Sequence, residues 1–147
     1  MSSVNHAGIT VSDLKASIAF YETVLGGTLV GPWERSGPRI DQVTGYTGVI
    51  VRQAFITAPD GGAMVELLQY ENGSDVTIDP DNGSIGAVHV AIEVDDFDGM
   101  LERLAAQGVP AVSAPITASA GPLEGRRVVY VMDPDRVRVE LVESLPA

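Results

Sequence analysis

Hydrophobic and polar positions follow one pattern that occurs twice along the chain. Residues 4–11 and 87–94 each alternate large apolar side chains with polar or small ones, which is typical of a β-strand with one covered face. An aspartate follows each strand, Asp13 in the first case and Asp95 or Asp96 in the second. Aspartate is a favoured N-cap residue, so the pattern predicts that a helix begins at each of these points.

The predicted helices carry an apolar stripe on one face and stop at glycines. Gly26 and Gly27 end the first helix, and Gly108 ends the second, since glycine readily adopts the left-handed conformation found after a helix. The stripe comprises Leu14, Ile18, Tyr21 and Leu25 in the first helix, and Phe97, Leu101 and Leu104 in the second.

Three further strands are predicted after each helix, so the chain is expected to contain two βαβββ modules. They cover residues 28–35, 49–57 and 63–70 in the first module, and 110–117, 126–132 and 137–143 in the second. Turn-forming residues fill the segment between the modules. The prediction is an α+β fold in which the two βαβββ modules form a curved mixed sheet around a cleft.

The expected boundaries follow from these elements. The first module covers residues 1–71, the linker 72–85 and the second module 86–147, all within one structural domain. We also expect residues 33–47 to form a mobile loop over the cleft, with Glu34 and Asp41 as spare acids.

Composition narrows the class of protein. The 147 residues include 45% hydrophobic and 20% charged side chains, as in a globular domain with a core. The net charge of −11 argues against nucleic acid or an anionic membrane as partner, because both attract clustered Lys and Arg. There is no cysteine, which excludes disulfides and thiolate ligands. The N-terminal segment does not resemble a secretory signal, so a cytoplasmic location is expected.

Both histidines of the chain occupy the same position of the repeat. His6 lies in VNHAGITVSDL and His89, 83 residues later, lies in AVHVAIEVDD. The modules also close alike, with Glu66 and Glu140 at the centre of a shared VEL sequence. Because side chains alternate along a strand, these four residues should point away from the helix-covered face. Two imidazoles and two carboxylates form a plausible site for a divalent ion such as Zn, Ni, Co, Mn or Fe.

The repeated segments resemble the vicinal oxygen chelate superfamily, which includes glyoxalase I, methylmalonyl-CoA epimerase, fosfomycin-resistance proteins, extradiol dioxygenases and bleomycin-binding proteins. The resemblance rests on HAGITVSDLKASIAFYETVLGG, VELLQY, GAVHVAIEVDD and DPDRVRVELVE. It implies paired modules around a metal that binds two neighbouring oxygens of a small substrate, and a homodimer. Carried over by position, His6, Glu66, His89 and Glu140 would be the metal ligands.

The resemblance favours one reaction class over several others. A dioxygenase is disfavoured because no histidine remains as acid or base, and a fosfomycin-type site because Glu66 would fill its open position. A His-Glu-His-Glu set is similar to glyoxalase I and methylmalonyl-CoA epimerase, both of which move a proton next to a carbonyl. Glu66 and Glu140 are then the candidate catalytic bases.

Two departures favour an epimerase-like isomerase over a glyoxalase I-like lyase. Glyoxalase I usually has an arginine four residues after the first ligand, where this chain has Thr10. The segment GRRVVYV resembles a stretch of methylmalonyl-CoA epimerases, which makes Arg126, Arg127 and Tyr130 candidate substrate-binding residues. The remaining alternatives are the lyase itself and a non-catalytic protein that binds a small molecule such as an antibiotic.

Overall fold

A computed structural model describes residues 3–61 and 64–145. The chain forms two compact units that meet between Ile78 and Asp79 in the sequence, and each unit contains one four-stranded sheet. The division falls inside the predicted linker, and residues 72–89 contain no helix or strand. Each sheet joins one parallel strand pair to antiparallel pairs, so both sheets are mixed and the α+β class is confirmed.

The two sheets have matching topology. In the first unit the elements are β1 (Ala7–Thr10), α1 (Leu14–Leu25), β2 (Thr28–Ser36), α2 (Pro38–Thr44), β3 (Ile50–Thr57) and β4 (Met64–Glu71), with sheet order β1-β4-β3-β2. In the second they are β5 (Val90–Val94), α3 (Phe97–Ala106), β6 (Ile116–Thr117), β7 (Arg127–Met132) and β8 (Arg138–Glu143), with order β5-β8-β7-β6.

Both helices that follow an opening strand begin at the predicted type of cap. Asp13 Oδ1 accepts from the backbone N–H groups of Lys15 and Ala16, at 2.9 and 3.1 Å. In the second unit the cap is Asp96, whose Oδ1 accepts from Gly99 N at 3.1 Å. The α1 helix ends at Gly26 in the left-handed conformation, as predicted. These contacts satisfy backbone donors that a helix start leaves without partners.

One face of each sheet is covered by the helix of its own unit. The α1 helix packs on β3 and β4, and α3 packs on β8. Fully buried side chains fill these contacts, namely Tyr21, Ile56 and Leu67 in the first unit and Phe97, Leu104, Val131, Val139 and Leu141 in the second. In both sheets the buried residues alternate with less buried ones, so the other face is available for polar groups.

Three local predictions were wrong. Residues 33–47 are not a loop, since β2 continues to Ser36 and α2 follows with Pro38 in its first turn, where proline is favoured. The strand expected at 110–117 is reduced to the two residues of β6. The opening strands start later than predicted, so His6 immediately precedes β1 and His89 immediately precedes β5. Val88, inside the second predicted strand, is exposed.

None of the helices in the described part of the chain has the length and apolar character needed to cross a bilayer.

Candidate functional site

The first unit places His6 against Glu66. Their Nε2 and Oε2 atoms lie 3.1 Å apart, and their side chains are 35% and 13% exposed. The pairing of β1 with β4 explains this contact, because Gly8 is the register partner of Glu66 and His6 precedes it on the same face. The other ring nitrogen of His6, Nδ1, lies 2.8 Å from Asn5 Oδ1. Both ring nitrogens of His6 therefore have an oxygen neighbour, in Asn5 and Glu66.

The second unit repeats this arrangement with different residues. His89 Nε2 lies 3.4 Å from Glu140 Oε2, with side chains 40% and 14% exposed. Here Ala91 is the register partner of Glu140 in the parallel pairing of β5 with β8. The similar separations and exposures show that each unit brings its predicted histidine and glutamate together on the face away from the helix.

An aromatic ring stands beside each histidine at the same register position. Phe55 is paired with Glu66 in β3 and β4, and its ring makes an edge-to-face contact with His6 at 5.7 Å. Tyr130 is paired with Glu140 in β7 and β8 and contacts His89 in the same way at 5.4 Å. Such contacts restrict the orientation of an imidazole ring, which favours a fixed direction for its Nε2 atom.

Tyr130 differs from Phe55 by its hydroxyl group, which gives the second unit a polar group beside the pair. Burial and the nearby Glu140 carboxylate raise the pKa of Tyr130, while a hydrogen bond with Asn82 opposes them. The hydroxyl is therefore protonated at neutral pH and can donate. This location agrees with its predicted role in substrate binding, which stays a prediction.

Glu66 has a hydrogen-bonding partner that the sequence had not suggested. Gln53 Nε2 donates to Glu66 Oε1, and Gln53 Oε1 accepts from Arg35 Nε at 2.7 Å. Burial raises the pKa of Tyr70, and Glu66 adds to that effect. The available signal was the alternation of β3, which places Gln53 on the same face as Phe55, but its partners depend on register.

The donor set fits a divalent cation. With bonds of about 2.1 Å, two ligand atoms separated by about 90° to 109° at one ion lie about 3.0 to 3.4 Å apart. The two Nε2–Oε2 separations, 3.1 and 3.4 Å, fall in this range. In the described part of the chain no group of three or more His, Asp or Glu could hold a metal, so a site that uses both pairs stays a prediction.

The neighbouring arginines of the predicted substrate site, Arg126 and Arg127, have different partners in the second unit. Arg127 bonds Asp98 and Glu143 at 2.7 to 3.1 Å, and its guanidinium lies 4.8 Å from the Phe97 ring centroid, on the helix-covered face opposite Tyr130. These carboxylates raise the pKa of Arg127.

Arg126 lies at the end of the sheet and its side chain is only 10% exposed. Its Nη1 donates to Glu93 Oε1 at 2.8 Å and its Nε donates to the backbone oxygen of Glu143. Its Nη2 is buried and has no hydrogen-bond partner in the described residues. Neither arginine contacts the His89–Glu140 pair, and the substrate-binding role of both stays a prediction.

Several curated proteins resemble the chain over almost its whole length. A 2-epi-5-epi-valiolone epimerase from an Actinomyces species is 31% identical, covering 98% of this chain and 80% of the relative. A lactoylglutathione lyase from Haemophilus influenzae is 32% identical, covering 95% of this chain and 90% of the relative. The chain thus has relatives among both the isomerases and the lyases of one superfamily.

Solved structures share the fold. A glyoxalase family protein from Bacillus cereus superposes with a TM-score of 0.84 at 24% identity, over 99% of this chain and 96% of the other. A fosfomycin resistance protein from Listeria monocytogenes gives 0.65 at 18% identity, over 97% and 91%. The sequence profile of one family matches residues 3–141. The resemblance inferred from the repeat is confirmed: the chain belongs to the Glyoxalase/Bleomycin resistance protein/Dioxygenase superfamily.

Proposed function

We propose that this chain is a divalent-metal-dependent isomerase that moves a proton next to a carbonyl group, with His6, Glu66, His89 and Glu140 as metal ligands. The observation that carries the proposal is the repeated pair, in which an imidazole nitrogen and a carboxylate oxygen lie 3.1 Å apart in one unit and 3.4 Å apart in the other. Two pairs of this spacing supply four ligands of the kinds that divalent ions of this class accept.

The reaction needs both charge stabilisation and a base. A divalent ion held by these residues would supply Lewis acidity toward a carbonyl oxygen of the substrate. Glu66 and Glu140 are the carboxylates placed to accept a proton from the neighbouring carbon, because each is partly exposed on the helix-free face. The protonated hydroxyl of Tyr130 can donate to a substrate oxygen nearby. Phe55 and Tyr130 flank the histidines, with ring centroids 5.7 and 5.4 Å away.

Within this class we propose an epimerase-like reaction on a small molecule with two adjacent oxygens. The relative from Actinomyces is named as an epimerase, which supports isomerisation in a protein similar along nearly the whole chain. Residue 10, at the end of β1, is threonine rather than the arginine expected of glyoxalase I. The lactoylglutathione lyases at 30% to 32% identity keep the lyase reaction as the alternative.

Metal content tests the ligand assignment first. The protein, expressed with added Co, Ni, Zn, Mn or Fe salts, is dialysed and analysed for metal and for oligomeric state. We expect one ion per chain in a homodimer, and loss of the ion in His6→Ala and His89→Ala. The matched control is Glu71→Gln on β4, whose carboxylate instead bonds Arg52. Metal retained in both histidine variants would contradict the assignment.

Hydrogen exchange tests the reaction. Metal-loaded protein in deuterated buffer is incubated with a panel of thioesters, hydroxy ketones and the hemithioacetal of glutathione, and the label is followed by NMR. Deuterium at the carbon next to the carbonyl, without net conversion to a lyase product, supports the isomerase. Conversion of the hemithioacetal alone supports the lyase. Tight binding of a ligand that survives chelation, without exchange in any compound, would support the non-catalytic alternative.

A further inference from the structure

The two glutamates of the site are held differently, although their histidine contacts match. In the first unit, Gln53 lies between Arg35 and Glu66 and bonds to both. Its amide NH₂ group donates to Glu66 Oε1, which leaves Oε2 directed at His6 Nε2. Both oxygens of Glu66 therefore have assigned partners, and rotation of the carboxylate would break the bond to Gln53.

The second unit lacks this support. Val128 takes the register position of Gln53, because it lies two residues before Tyr130 just as Gln53 lies two residues before Phe55. A valine side chain cannot donate a hydrogen bond. In the part of the chain that the structure describes, the Glu140 carboxylate contacts His89 and accepts no side-chain hydrogen bond of the kind that Gln53 provides.

Arg35 is itself held in place by neighbours of the first pair. Its guanidinium lies 5.7 Å from the ring centroid of Trp33, which contacts the edge of Phe55 at 6.5 Å. Phe55 in turn contacts His6. Successive contacts therefore link His6 to Phe55, Phe55 to Trp33 and Trp33 to Arg35. Arg35 is linked through Gln53 to Glu66, which contacts His6 and closes the set. This closed set of contacts resists reorientation of any one member, because each has two neighbours.

We infer that Gln53, oriented by Arg35, is a positioning residue that fixes Glu66 in its orientation toward His6, whereas Glu140 has no equivalent partner among the described residues. The inference rests on the proposed function, since it assigns unequal tasks to two of the proposed ligands. Neither Arg35 nor Gln53 needs to contact the metal or the substrate, and both act through Glu66.

Cobalt binding tests this role through an effect that general destabilisation would not produce. Gln53→Met keeps the length of the side chain but removes the N–H donor, and Arg35→Leu removes the group that orients Gln53. Apoprotein is titrated with Co²⁺ at fixed pH and the visible absorption bands are recorded. We expect Gln53→Met to weaken Co²⁺ binding about 10- to 100-fold and to change the bands, since outer partners of metal ligands commonly have effects of this size. Arg35→Leu should act in the same direction by a smaller factor.

Arg52→Leu is the matched control. Arg52 is the residue next to Gln53 on β3, but its bonds go to Glu34 and Glu71 rather than to the pair. Its removal should leave Co²⁺ affinity within about twofold of the native value, since it lies outside the outer shell of the site. Native-like affinity and unchanged bands in Gln53→Met would overturn the inference, whereas failure of the native protein to bind Co²⁺ would overturn the proposed function.

A second measurement does not depend on metal. In metal-free protein labelled with ¹³C, NMR relaxation gives the order parameters of the glutamate side chains. Glu66 should be more ordered than Glu140 in the native chain, and Gln53→Met should lower the order of Glu66 to that of Glu140. Equal order parameters for the two glutamates in the native chain would overturn the inference even if the metal site exists.

Discussion

Tyr130 lies opposite Glu140 in the pairing of β7 with β8, at the register position that Phe55 has in the first unit. Replacing Tyr130 by Phe therefore makes the two positions chemically alike. The edge-to-face contact with His89 should persist, because it depends on the ring and not on the hydroxyl. We expect metal content and thermal stability close to native, with turnover in the exchange assay lowered about 10-fold or more by loss of a charge-assisted donor.

Phe55→Tyr provides the control for that variant. It adds a hydroxyl at the equivalent position of the first unit and should not restore turnover when combined with Tyr130→Phe, because residue 55 contacts His6 whereas residue 130 contacts His89. Native turnover in Tyr130→Phe would show that the hydroxyl takes no part in the reaction.

Replacement of either glutamate of the site by glutamine should separate metal binding from stability. Glu66→Gln and Glu140→Gln each remove the charge of a proposed metal ligand while keeping the shape of the side chain, so the fold should remain. We expect turnover to fall about 10²- to 10⁴-fold in whichever variant loses the base. Metal-binding measurements report the loss of a metal ligand, and single-turnover measurements on metal-loaded protein report the loss of the base. Glu71→Gln, on the same strand as Glu66 but paired with Arg52, should remain near native. Full activity in both site variants would exclude the proposed chemistry.

The sequence was sufficient to predict the two His–Glu pairs, because they depend on short-range rules. Alternation along a strand assigns His6 and Glu66 to one face, and the internal repeat assigns His89 and Glu140 to the equivalent positions. The structure brings the members of each pair together. The convergence of the two pairs on one ion is a longer-range prediction, and local pattern does not determine it.

The sequence did not predict the contacts that depend on strand register. Gln53 reaches Glu66 because β3 and β4 pair with Phe55 opposite Glu66, and a shift of one residue would send Gln53 to the other face. The resemblance of GRRVVYV groups Arg126 with Arg127, although Arg126 bonds Glu93 and Arg127 lies over the Phe97 ring. The α2 helix was missed because its seven residues are too few for a periodic pattern, even though Pro38 is a recognised start signal.

Acid should destabilise the second unit before the first. The described groups whose pKa is lowered by hydrogen bonds or ion pairs all belong to the second unit, and they are Asp81, Glu93, Asp96, Asp98 and Glu143. For Asp96, Asp98 and Glu143 the main cause is a hydrogen bond from an arginine. A folded pKa below the ordinary values of 3.8 and 4.5 means that the unfolded state takes up protons first as the pH falls. The associated stability is present above about pH 4.5 and is lost as the pH falls through the folded values.

Amide hydrogen exchange measures this difference directly. Between about pH 6 and pH 3.5, after correction for intrinsic exchange rates, protection in β7 and β8 should fall more than protection in β3 and β4. Arg127→Gln removes the partner of Asp98 and Glu143 and should reduce the pH dependence, with little effect on turnover because Arg127 lies on the helix-covered face. Equal loss of protection in the two sheets would contradict the assignment. Loss of substrate affinity at neutral pH would instead support its predicted role in substrate binding.

The N-cap of α1 should contribute to stability without affecting the site. Asp13 accepts from two backbone N–H groups, and Asp13→Ala would leave both without this partner. We expect a loss of about 1 kcal/mol in the free energy of unfolding, and a decrease in Tm of about 2 to 4 °C for a chain of this size. Co²⁺ affinity should not change, because α1 lies on the opposite face of the sheet from His6 and Glu66. Asp75→Ala, at an exposed position after β4, serves as control. Weaker Co²⁺ binding in Asp13→Ala than in Asp75→Ala would show that the helix start and the site are coupled.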